Sequence, residues 1–540
     1  MAVFTSKLNT ASEEFASNRR QMLALVNSVC ELKGRAADLS EKRRSRFEER
    51  SQLTPRERLL RLLDPGMPFL ELYGLANYLV ETSNHEESVP GASAIAGIGF
   101  VSGARCLVYV DDSGINAGAM TPMSAPKLLA CADLALRFKL PVVHLVESAG
   151  ANLLQYQVET WAHGGAIFCR LAQLSAAGLP VVTVLHGPST AGGAYMPGLS
   201  DYVVSIRGRG RASLGGAALV RAATGEISDD EELAGTDMHA TTSGLVEYSA
   251  ENDADGLQIA RRLIEKLDWN KGCRRRERKS FREPRYDPEE IAGLVPVDYW
   301  RPYDVRELVA RIVDDSDFED FKPRYGAFVV CLQASIYGNA CGILANNGPI
   351  DPDGAAKAGQ FIQLCDQADI PVVFLNNITG YMVGKAYEQA GMVKHGSKMI
   401  QAVSNLRVPK LTLYIGASFG AGNYGMAGLG YRPDFLFTWP NAVTGVMGGE
   451  QAALTMDQVA RDSAARRGIP VDEEALQAQK KRIVQHFQKQ SHAFYTSGRM
   501  LDQGVIDPRD SRRVLGFALE TLWEARNRRV HPNSFGVARL

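Results

Sequence analysis

Short apolar runs alternate with amphipathic segments along most of the chain. Runs such as CLVYV and PVVHLV have the length of strands, and the segments between them have helical spacing. Continuous apolar runs are typical of strands buried on both faces, as in parallel sheets covered by helices. The pattern predicts an α/β protein with buried strands.

Polar, helix-forming sequence flanks this pattern at both ends. Residues from about 12 to 63 are rich in Glu, Arg, Lys and Leu at helical spacing. Within this segment Thr54 is a predicted N-cap, and the Pro65-Gly66 pair is a predicted helix break. The stretch from Asp472 onward is also predicted to be mostly helical.

The apolar pattern occurs twice. Leu179–Pro197 aligns without a gap on Val408–Met426, 229 positions further along, and the pairs include identical Gly, Ser, Thr, Pro and Tyr residues. Upstream, Pro126–Val143 aligns on Ala356–Val373 in the same order. An ordered series of matches indicates two homologous domains.

A charged segment separates the two copies. At 540 residues the chain is long enough for more than one core. Asn270–Glu290 is charged, contains proline and has almost no aliphatic residues, which is typical of a linker. Its basic run could bind an anionic partner, but a solvated hinge is the favoured interpretation. We therefore predict domains over residues 1–275 and 286–540.

Composition narrows the class of protein. A formal net charge of −1 gives no general case for nucleic acid or an anionic membrane surface. The eight cysteines are scattered without a C-x-x-C motif, so no metal site is expected. The N-terminus has no signal-like apolar stretch, and no uncharged run is long enough to span a bilayer. A reducing cytoplasm is the expected compartment.

A turn of small residues follows one apolar run in each copy: STAGGAYMP begins at Ser189 and SFGAGNYGM at Ser418. Glycine lets backbone N–H groups approach a ligand, and a helix that follows favours negative charge at its start. Two such turns predict two oxyanion-binding sites. Close packing between strand and helix is the alternative explanation of the glycines.

These turns carry a wider resemblance. STAGGAYMP, ANNG, NITGYMVG, SFGAGNYGM and VMGGEQAA together resemble the carboxyltransferase (β) subunits of biotin-dependent acyl-CoA carboxylases. The resemblance runs from LTPRERLLRLLDPG to GVIDPRDSRRVLG, and NITGYMVG and FGAGNYGM resemble the branch acting on 3-methylcrotonyl-CoA and geranyl-CoA. It implies two crotonase-like domains of the ClpP/crotonase superfamily, each a stack of ββα units.

The resemblance also implies a mechanism and partners. Carboxybiotin would arrive on an α subunit with biotin carboxylase and biotin carrier domains, and that partner alone would use ATP and Mg. After release of CO2, biotin would remove a proton from the acyl-CoA, which is then carboxylated at its γ carbon. The CoA thioester is the substrate, biotin is not attached to this chain, and the family builds a β hexamer within an α6β6 complex.

Site residues follow from the same resemblance. The backbones of Gly192 and Gly193 correspond to an oxyanion hole for the thioester oxygen. Those of Ala421 and Gly422, with Gly420 as a further biotin-binding residue, correspond to a hole for the biotin ureido oxygen. The acyl chain is expected to lie near these residues: Gly164, Ala191, Ser213, Gly215 and Gly216.

The acyl-chain region departs from the methylcrotonyl relatives. HGGAIF places Gly164 where those relatives resemble HFGRIF, and Leu153–Gly165 lacks their acidic stretch. A missing aromatic ring leaves room for several methylenes, each worth about 0.8 kcal/mol when buried. We therefore favour geranyl-CoA as substrate, with 3-methylcrotonyl-CoA as the alternative. Neutral drift in a loop is the other explanation of the glycine.

Three other classes of function stay open at this stage. Gly416, Ser418 and Gly420 fit the G-x-S-x-G elbow of a serine hydrolase, although Ala191 breaks that pattern in the first copy. A crotonase-like hydratase or isomerase could use Glu147 as its acid. A non-catalytic scaffold would not need both turns. His186, which precedes the first turn, is interpreted as structural.

Overall fold

The computed structural model describes residues 4–151, 158–274 and 280–537. Parts of the segments predicted at Leu153–Gly165 and Asn270–Glu290 lie outside the described residues. Two compact units are present. The first unit comprises Glu31–Arg276, Gly498–Met500 and Thr521–Leu540, and the second comprises Met1–Cys30, Glu277–Ser497 and Leu501–Glu520.

The first unit is built on a largely parallel sheet. Its strands are β1 (Leu70–Glu71), β2 (Ala94–Val101), β3 (Ala104–Asp111), β4 (Ala119–Met120), β5 (Val142–Ser148), β6 (Gly150–Ala151), β7 (Val181–Thr190), β8 (Tyr202–Ile206), β9 (Arg211–Ser213) and β10 (Tyr248–Ala250). The order across the sheet is β1-β2-β3-β5-β7-β8-β10. Neighbours from β3 to β10 are parallel, β9 pairs with the end of β7, and β4 pairs with β6.

The second unit repeats this arrangement. Its strands are β11 (Phe318–Asp320), β12 (Val329–Ile336), β13 (Asn339–Asn346), β14 (Val372–Ile378), β15 (Lys410–Phe419), β16 (Phe435–Thr438) and β17 (Val443–Gly445). The order is β11-β12-β13-β14-β15-β16, and β17 pairs with the end of β15 as β9 does with β7. The predicted α/β class with buried, mostly parallel strands is confirmed.

Helices cover the sheets and form both flanks of the chain. They are α1 (Glu13–Glu41), α2 (Arg44–Glu49), α3 (Pro55–Leu62), α4 (Ser124–Phe138), α5 (Val158–Gly164), α6 (Ala166–Ala176), α7 (Tyr195–Gly198), α8 (Ala217–Thr224), α9 (Asp230–Ala234), α10 (Thr236–Met238), α11 (Asp253–Lys266), α12 (Ile291–Leu294), α13 (Val305–Val309), α14 (Pro352–Gln367), α15 (Lys385–Gln389), α16 (Met392–Ser404), α17 (Gly420–Gly425), α18 (Gly449–Arg467), α19 (Glu473–Ser491), α20 (Ala493–Gly498) and α21 (Ser511–Asn527). The predicted N-cap is confirmed, because the Thr54 hydroxyl accepts from the Glu57 amide and the Glu57 carboxylate accepts from the Thr54 amide.

The two sheets share an irregularity as well as a topology. The pairing of β5 with β7 shifts register between Val146 and Ser148. The pairing of β14 with β15 shifts in the same place, between Asn376 and Ile378. A bulge of this kind re-aims the extra side chain. The sequence repeat is therefore a structural repeat.

A buried lysine also recurs in both copies. Lys127 on α4 donates to the carbonyl oxygens of Gly91 at 3.1 Å and Ala94 at 2.8 Å. Lys357 on α14 donates to the Val329 carbonyl at 2.8 Å. Burial lowers the pKa of both lysines, that of Lys127 to about 8. Each lysine joins a helix to the start of the first long hairpin of its sheet.

Candidate active site

The first small-residue turn lies at the end of β7. Ala191 follows the strand with a left-handed backbone (φ 54°), and a short 3-10 turn over Ala191–Ala194 leads into α7. Thr190 pairs with Ser213 at the end of β9. The structure therefore brings Ser213 beside the predicted oxyanion turn.

The second turn has the same backbone course at the end of β15. Gly420, the counterpart of Ala191, is also left-handed (φ 54°) and begins α17. A Cβ added to Gly420 would lie 3.0 Å from the Val446 carbonyl oxygen. Glycine avoids this close contact at the second turn, whereas the first turn accommodates an alanine at the same φ.

The chemistry of both turns rests on backbone donors. The first N–H groups of a helical turn have no acceptor within that turn. Gly192 and Ala421 are exposed, Gly193 is half-buried, and Gly422 is buried. Small residues let a ligand oxygen approach these N–H groups, and preorganised donors of this kind stabilise an oxyanion. The geometry can bind two oxyanions, one at each turn.

Packing accounts for part of the glycine content. A Cβ on Gly422 would lie 2.7 Å from Cγ1 of Ile378, and one on Gly193 would lie 3.1 Å from Oγ of Ser189. Gly192 is less restricted, with the Phe168 ring at 3.5 Å. Close packing and access to backbone N–H groups therefore act together at these turns.

An aromatic pair borders the first turn on its helical side. The rings of Phe168 and Tyr195 are 5.4 Å apart, and Phe168 packs against Gly192. Gly164 precedes Phe168 by four residues, and Gly165 between them has helical angles (φ −58°, ψ −22°). Residues at this spacing lie on one face of a helix. A Cβ on Gly164 would meet no atom of the described residues within 4 Å, so a larger side chain could be placed at the end of α5.

Two further glycines lead from β9 into α8. Gly216 is the N-cap of α8, and a Cβ on Gly215 would lie 3.0 Å from Cδ2 of Leu219. Leu214 and Leu219 are exposed apolar side chains in the same segment. This segment adds apolar surface next to Ser213.

A buried ionic cluster lies next to β7, the strand that leads into the first turn. Arg58 contacts Glu147 at 2.5 Å and Asp253 at 3.6 Å, and the Nδ1–H of His186 donates to Asp253 at 2.7 Å. Burial and the charge of Arg58 lower the pKa of His186. Burial would raise the pKa of Asp253, but the His186 hydrogen bond and the Arg58 charge lower it to about 2. His186 is structural.

Two of the alternative chemistries find little support in this geometry. Glu147 is 5% exposed and paired with Arg58, which argues against its use as a hydratase acid. Ser418 is 0% exposed, and its Oγ accepts from the amide groups of Asn423 and Asn376. An amide group cannot act as the base that a nucleophilic serine needs.

The described residues contain no group of three or more His, Cys, Asp or Glu side chains that could hold a metal ion. All eight cysteines are free thiols, and five of them are buried. No helix in the described ranges is long and apolar enough to cross a bilayer.

Comparison with known proteins identifies the class. The carboxyl transferase domain matches residues 47–536. The chain is 46% identical to a probable biotin-dependent acyl-coenzyme A carboxylase beta2 subunit of Mycobacterium tuberculosis, over 92% of each protein. It is 40% identical to the mitochondrial methylcrotonoyl-CoA carboxylase beta chain of Arabidopsis thaliana, over 98% of this chain and 90% of that one. The chain belongs to the carboxyl transferase domain family.

A solved structure gives a finer match. The crystal structure of the geranyl-CoA carboxylase beta subunit of P. aeruginosa superimposes with a TM-score of 0.93 at 48% identity, over 100% of both chains. The chain is thus a carboxyltransferase of the type found in biotin-dependent acyl-CoA carboxylases. The predicted family and its two crotonase-like domains are confirmed.

The sequence pattern indicated the turns but missed the side chains that hold them. Phe168 and Asn423 were not singled out, although each contacts a turn or its supporting strand. One signal was available for the second residue. At the 229-residue offset Asn423 aligns with Ala194, and a polar residue in only one copy of a repeat indicates a role specific to that copy.

Proposed function

We propose that this chain transfers a carboxyl group from carboxybiotin to the γ carbon of a β-methyl-α,β-unsaturated acyl-CoA, with geranyl-CoA as the favoured substrate. The observation that carries the proposal is the pair of equivalent small-residue turns, one in each sheet of a carboxyl transferase family member. In this proposal, the predicted domain at residues 1–275 binds the acyl-CoA and that at 286–540 binds biotin.

The first turn would stabilise the carbanionic form of the acyl-CoA. When the γ proton leaves, its electron pair spreads through the unsaturated system onto the thioester oxygen. The N–H groups of Gly192 and Gly193 donate to that oxygen, and losing one such donor typically costs about 3–4 kcal/mol of transition-state stabilisation. The new C–C bond then forms between the γ carbon and CO2, and the charge moves to the carboxylate.

The second turn would hold the biotin ureido oxygen. Biotin held there would supply the CO2 as carboxybiotin and the base for the γ proton. The left-handed Gly420 and the exposed Ala421 leave the strand end open to a carbonyl oxygen, which fits a ureido group. The N–H groups of Ala421 and Gly422 donate to that oxygen and stabilise the negative charge that develops on it.

The proposed preference for a long acyl chain rests on the missing side chain at Gly164, where a Cβ would meet no described atom within 4 Å. A geranyl tail has five more carbons than a 3-methylcrotonyl group, and each buried methylene contributes about 0.8 kcal/mol. The P. aeruginosa geranyl-CoA carboxylase beta subunit is 48% identical to this chain. 3-Methylcrotonyl-CoA is the second candidate, because a 43% identical M. tuberculosis protein is named a 3-methylcrotonyl-coenzyme A carboxylase beta1 subunit.

The partner follows from the same chemistry. Biotin and the ATP- and Mg-dependent step that charges it would come from an α subunit carrying biotin carboxylase and biotin carrier domains. The relatives named above are β subunits or chains of such enzymes. We propose a hexamer of this chain within an α6β6 complex.

The test begins with co-purification of the chain and any biotinylated partner, detected with streptavidin. The complex should carboxylate geranyl-CoA with bicarbonate and ATP at a higher kcat/KM than 3-methylcrotonyl-CoA. The chain without its partner should show no ATP-dependent carboxylation. If the complex carboxylates neither thioester, the proposed function is wrong. Equal kcat/KM values would overturn only the substrate preference.

A further inference from the structure

One amide side chain joins the helix and the strand on the two sides of the second turn. Asn423 lies in α17, directly after Ala421 and Gly422. Its Nδ2 donates to the Tyr414 hydroxyl at 2.8 Å and to the Ser418 hydroxyl at 2.8 Å. Both acceptors belong to β15. We call these two hydrogen bonds the Asn423 clasp.

The two acceptors of the clasp are buried, and Asn423 itself is half-buried. Tyr414 is 5% exposed, and burial raises its pKa to about 12, so the hydroxyl stays protonated at working pH. The Gly428 N–H donates to the main-chain carbonyl of Asn423 at 2.8 Å. A Cβ on Gly428 would collide with the side-chain Oδ1 of Asn423. The side-chain Nδ2 of Asn423 is therefore fixed by two hydrogen bonds and its main-chain carbonyl by a third, while Oδ1 lies against Gly428.

The first turn has no equivalent of the clasp. At the 229-residue offset Asn423 corresponds to Ala194 and Tyr414 to Leu185, neither of which has a polar side chain. Ser189 corresponds to Ser418, but its Oγ is buried without a hydrogen-bond partner in the described part of the chain. The two copies thus share a backbone course, and among the described residues the hydrogen bonds of an amide side chain in the turn helix to the preceding strand are seen in the second copy.

We propose that Asn423 is a positioning residue for the second oxyanion hole: its clasp holds the N–H groups of Ala421 and Gly422 in the orientation that a ureido oxygen requires. The inference rests on the proposed function. Donors that are already oriented need no reorganisation during the reaction, and small displacements of reacting groups cost large factors in rate. The second turn would bind the same ureido oxygen in every turnover, so its N–H donors can be held in one fixed orientation.

The test uses Asn423→Ala in the full complex. We expect kcat to fall about 10- to 100-fold because the N–H donors lose their fixed direction. The KM for the acyl-CoA should stay within about two-fold, since the acyl-CoA is bound at the other turn. Carboxyl transfer from the carboxylated acyl-CoA to free biotin should slow by a similar factor, which reports on the biotin side.

Asn441→Ala is the matched control. Asn441 is buried, and its Nδ2 donates to the Ile415 carbonyl at 3.1 Å, on the strand β15 and five residues before Gly420. Asn423→Ala loses two part-buried hydrogen bonds and Asn441→Ala loses one buried hydrogen bond, and both variants should show a lower Tm than wild type. Only Asn423→Ala should lose kcat. Equal kcat losses in the two variants would show a general structural role and overturn the proposal.

Tyr414→Phe provides a second variant in case Asn423→Ala does not fold. It removes one acceptor of the clasp and should lower kcat by a smaller factor. In the Asn423→Ala background it should have no further effect, because the bond it removes is already absent. Wild-type kcat in Tyr414→Phe, or fully independent effects of the two changes, would overturn the clasp.

The wild-type complex separates this inference from the function on which it rests. If the wild type neither carboxylates an acyl-CoA nor transfers a carboxyl group to free biotin, the proposed function fails. If the wild type is active and both Asn423→Ala and Tyr414→Phe keep wild-type kcat, only the positioning role of Asn423 fails.

Discussion

Gly187 lies directly against the side chain of Glu147, and a Cβ added to Gly187 would come within 2.6 Å of Cγ of that glutamate. Glu147 cannot move aside, because Arg58 holds its carboxylate in a buried ion pair. The second copy has the same relationship, since a Cβ on Gly416 would collide with the Asn377 side chain. These glycines, at the base of the two turns, are required by packing.

Gly187→Ala should therefore destabilise the protein. Overpacking a closed site typically costs about 1–3 kcal/mol, which urea denaturation would measure as a lower free energy of unfolding. Gly34→Ala is the matched control, because a Cβ at that helical position meets nothing within 4 Å. The control should be neutral or stabilising by up to about 1 kcal/mol. Equal stability of Gly187→Ala and wild type would contradict the packing argument.

The left-handed residues of the two turns should respond differently to substitution. Gly420→Ala brings a Cβ to 3.0 Å from the Val446 carbonyl in a backbone conformation that favours glycine. It should lower kcat by about 10-fold by displacing the donors that follow. Ala191→Gly is the reciprocal control and should keep activity within about two-fold, because glycine adopts the same φ without strain. A wild-type kcat in Gly420→Ala would show that the turn tolerates a side chain at this position.

Ser418→Ala should keep substantial activity. The serine hydroxyl is buried and accepts from Asn423, which retains its bond to Tyr414 in the variant. A several-fold fall in kcat is the largest effect expected from a weakened clasp. If kcat disappears while the circular dichroism spectrum and Tm stay at wild-type values, a nucleophilic serine has to be considered again.

Gly164→Phe should change substrate preference. A Cβ at this position meets no described atom within 4 Å, so a ring could be accommodated four residues before Phe168, which borders the first turn. The KM for geranyl-CoA should rise sharply and that for 3-methylcrotonyl-CoA should change little, because only the longer tail needs that volume. Gly164→Ala serves as the small control. Equal weakening of both substrates by Gly164→Phe would refute the pocket argument.

Acid should weaken the first unit through Asp253. Because the folded-state pKa of Asp253 is lowered from 3.8 to about 2, its stabilising contribution is present above pH 3.8 and is lost as the pH falls toward 2. The shift corresponds to about 2 kcal/mol. The stability advantage of wild type over Asp253→Asn should therefore shrink between pH 5 and pH 3 in urea titrations. A constant difference over this range would show that the ionised carboxylate is not the stabilising form.

The chain order of apolar and small residues was enough to predict much of the fold. Apolar runs of strand length identified β3, β5, β7 and β15, because burial on both faces leaves little choice of residue type. The gap-free alignment of Leu179–Pro197 on Val408–Met426 identified the duplication, since a repeated fold keeps its spacing. The glycine-rich turns then identified both candidate oxyanion sites.

Only the tertiary structure decided what each glycine does and what holds each turn. The contact between Gly187 and Glu147 depends on the extra residues that β7 carries where it pairs with the end of β5, which a local pattern does not record. The Asn423 clasp likewise depends on where a short helix turns back onto β15. The physical reason is that the spacing of apolar residues within a segment reflects the burial of that segment alone. Side-chain contacts depend on residues that are distant in the sequence and are brought together by folding.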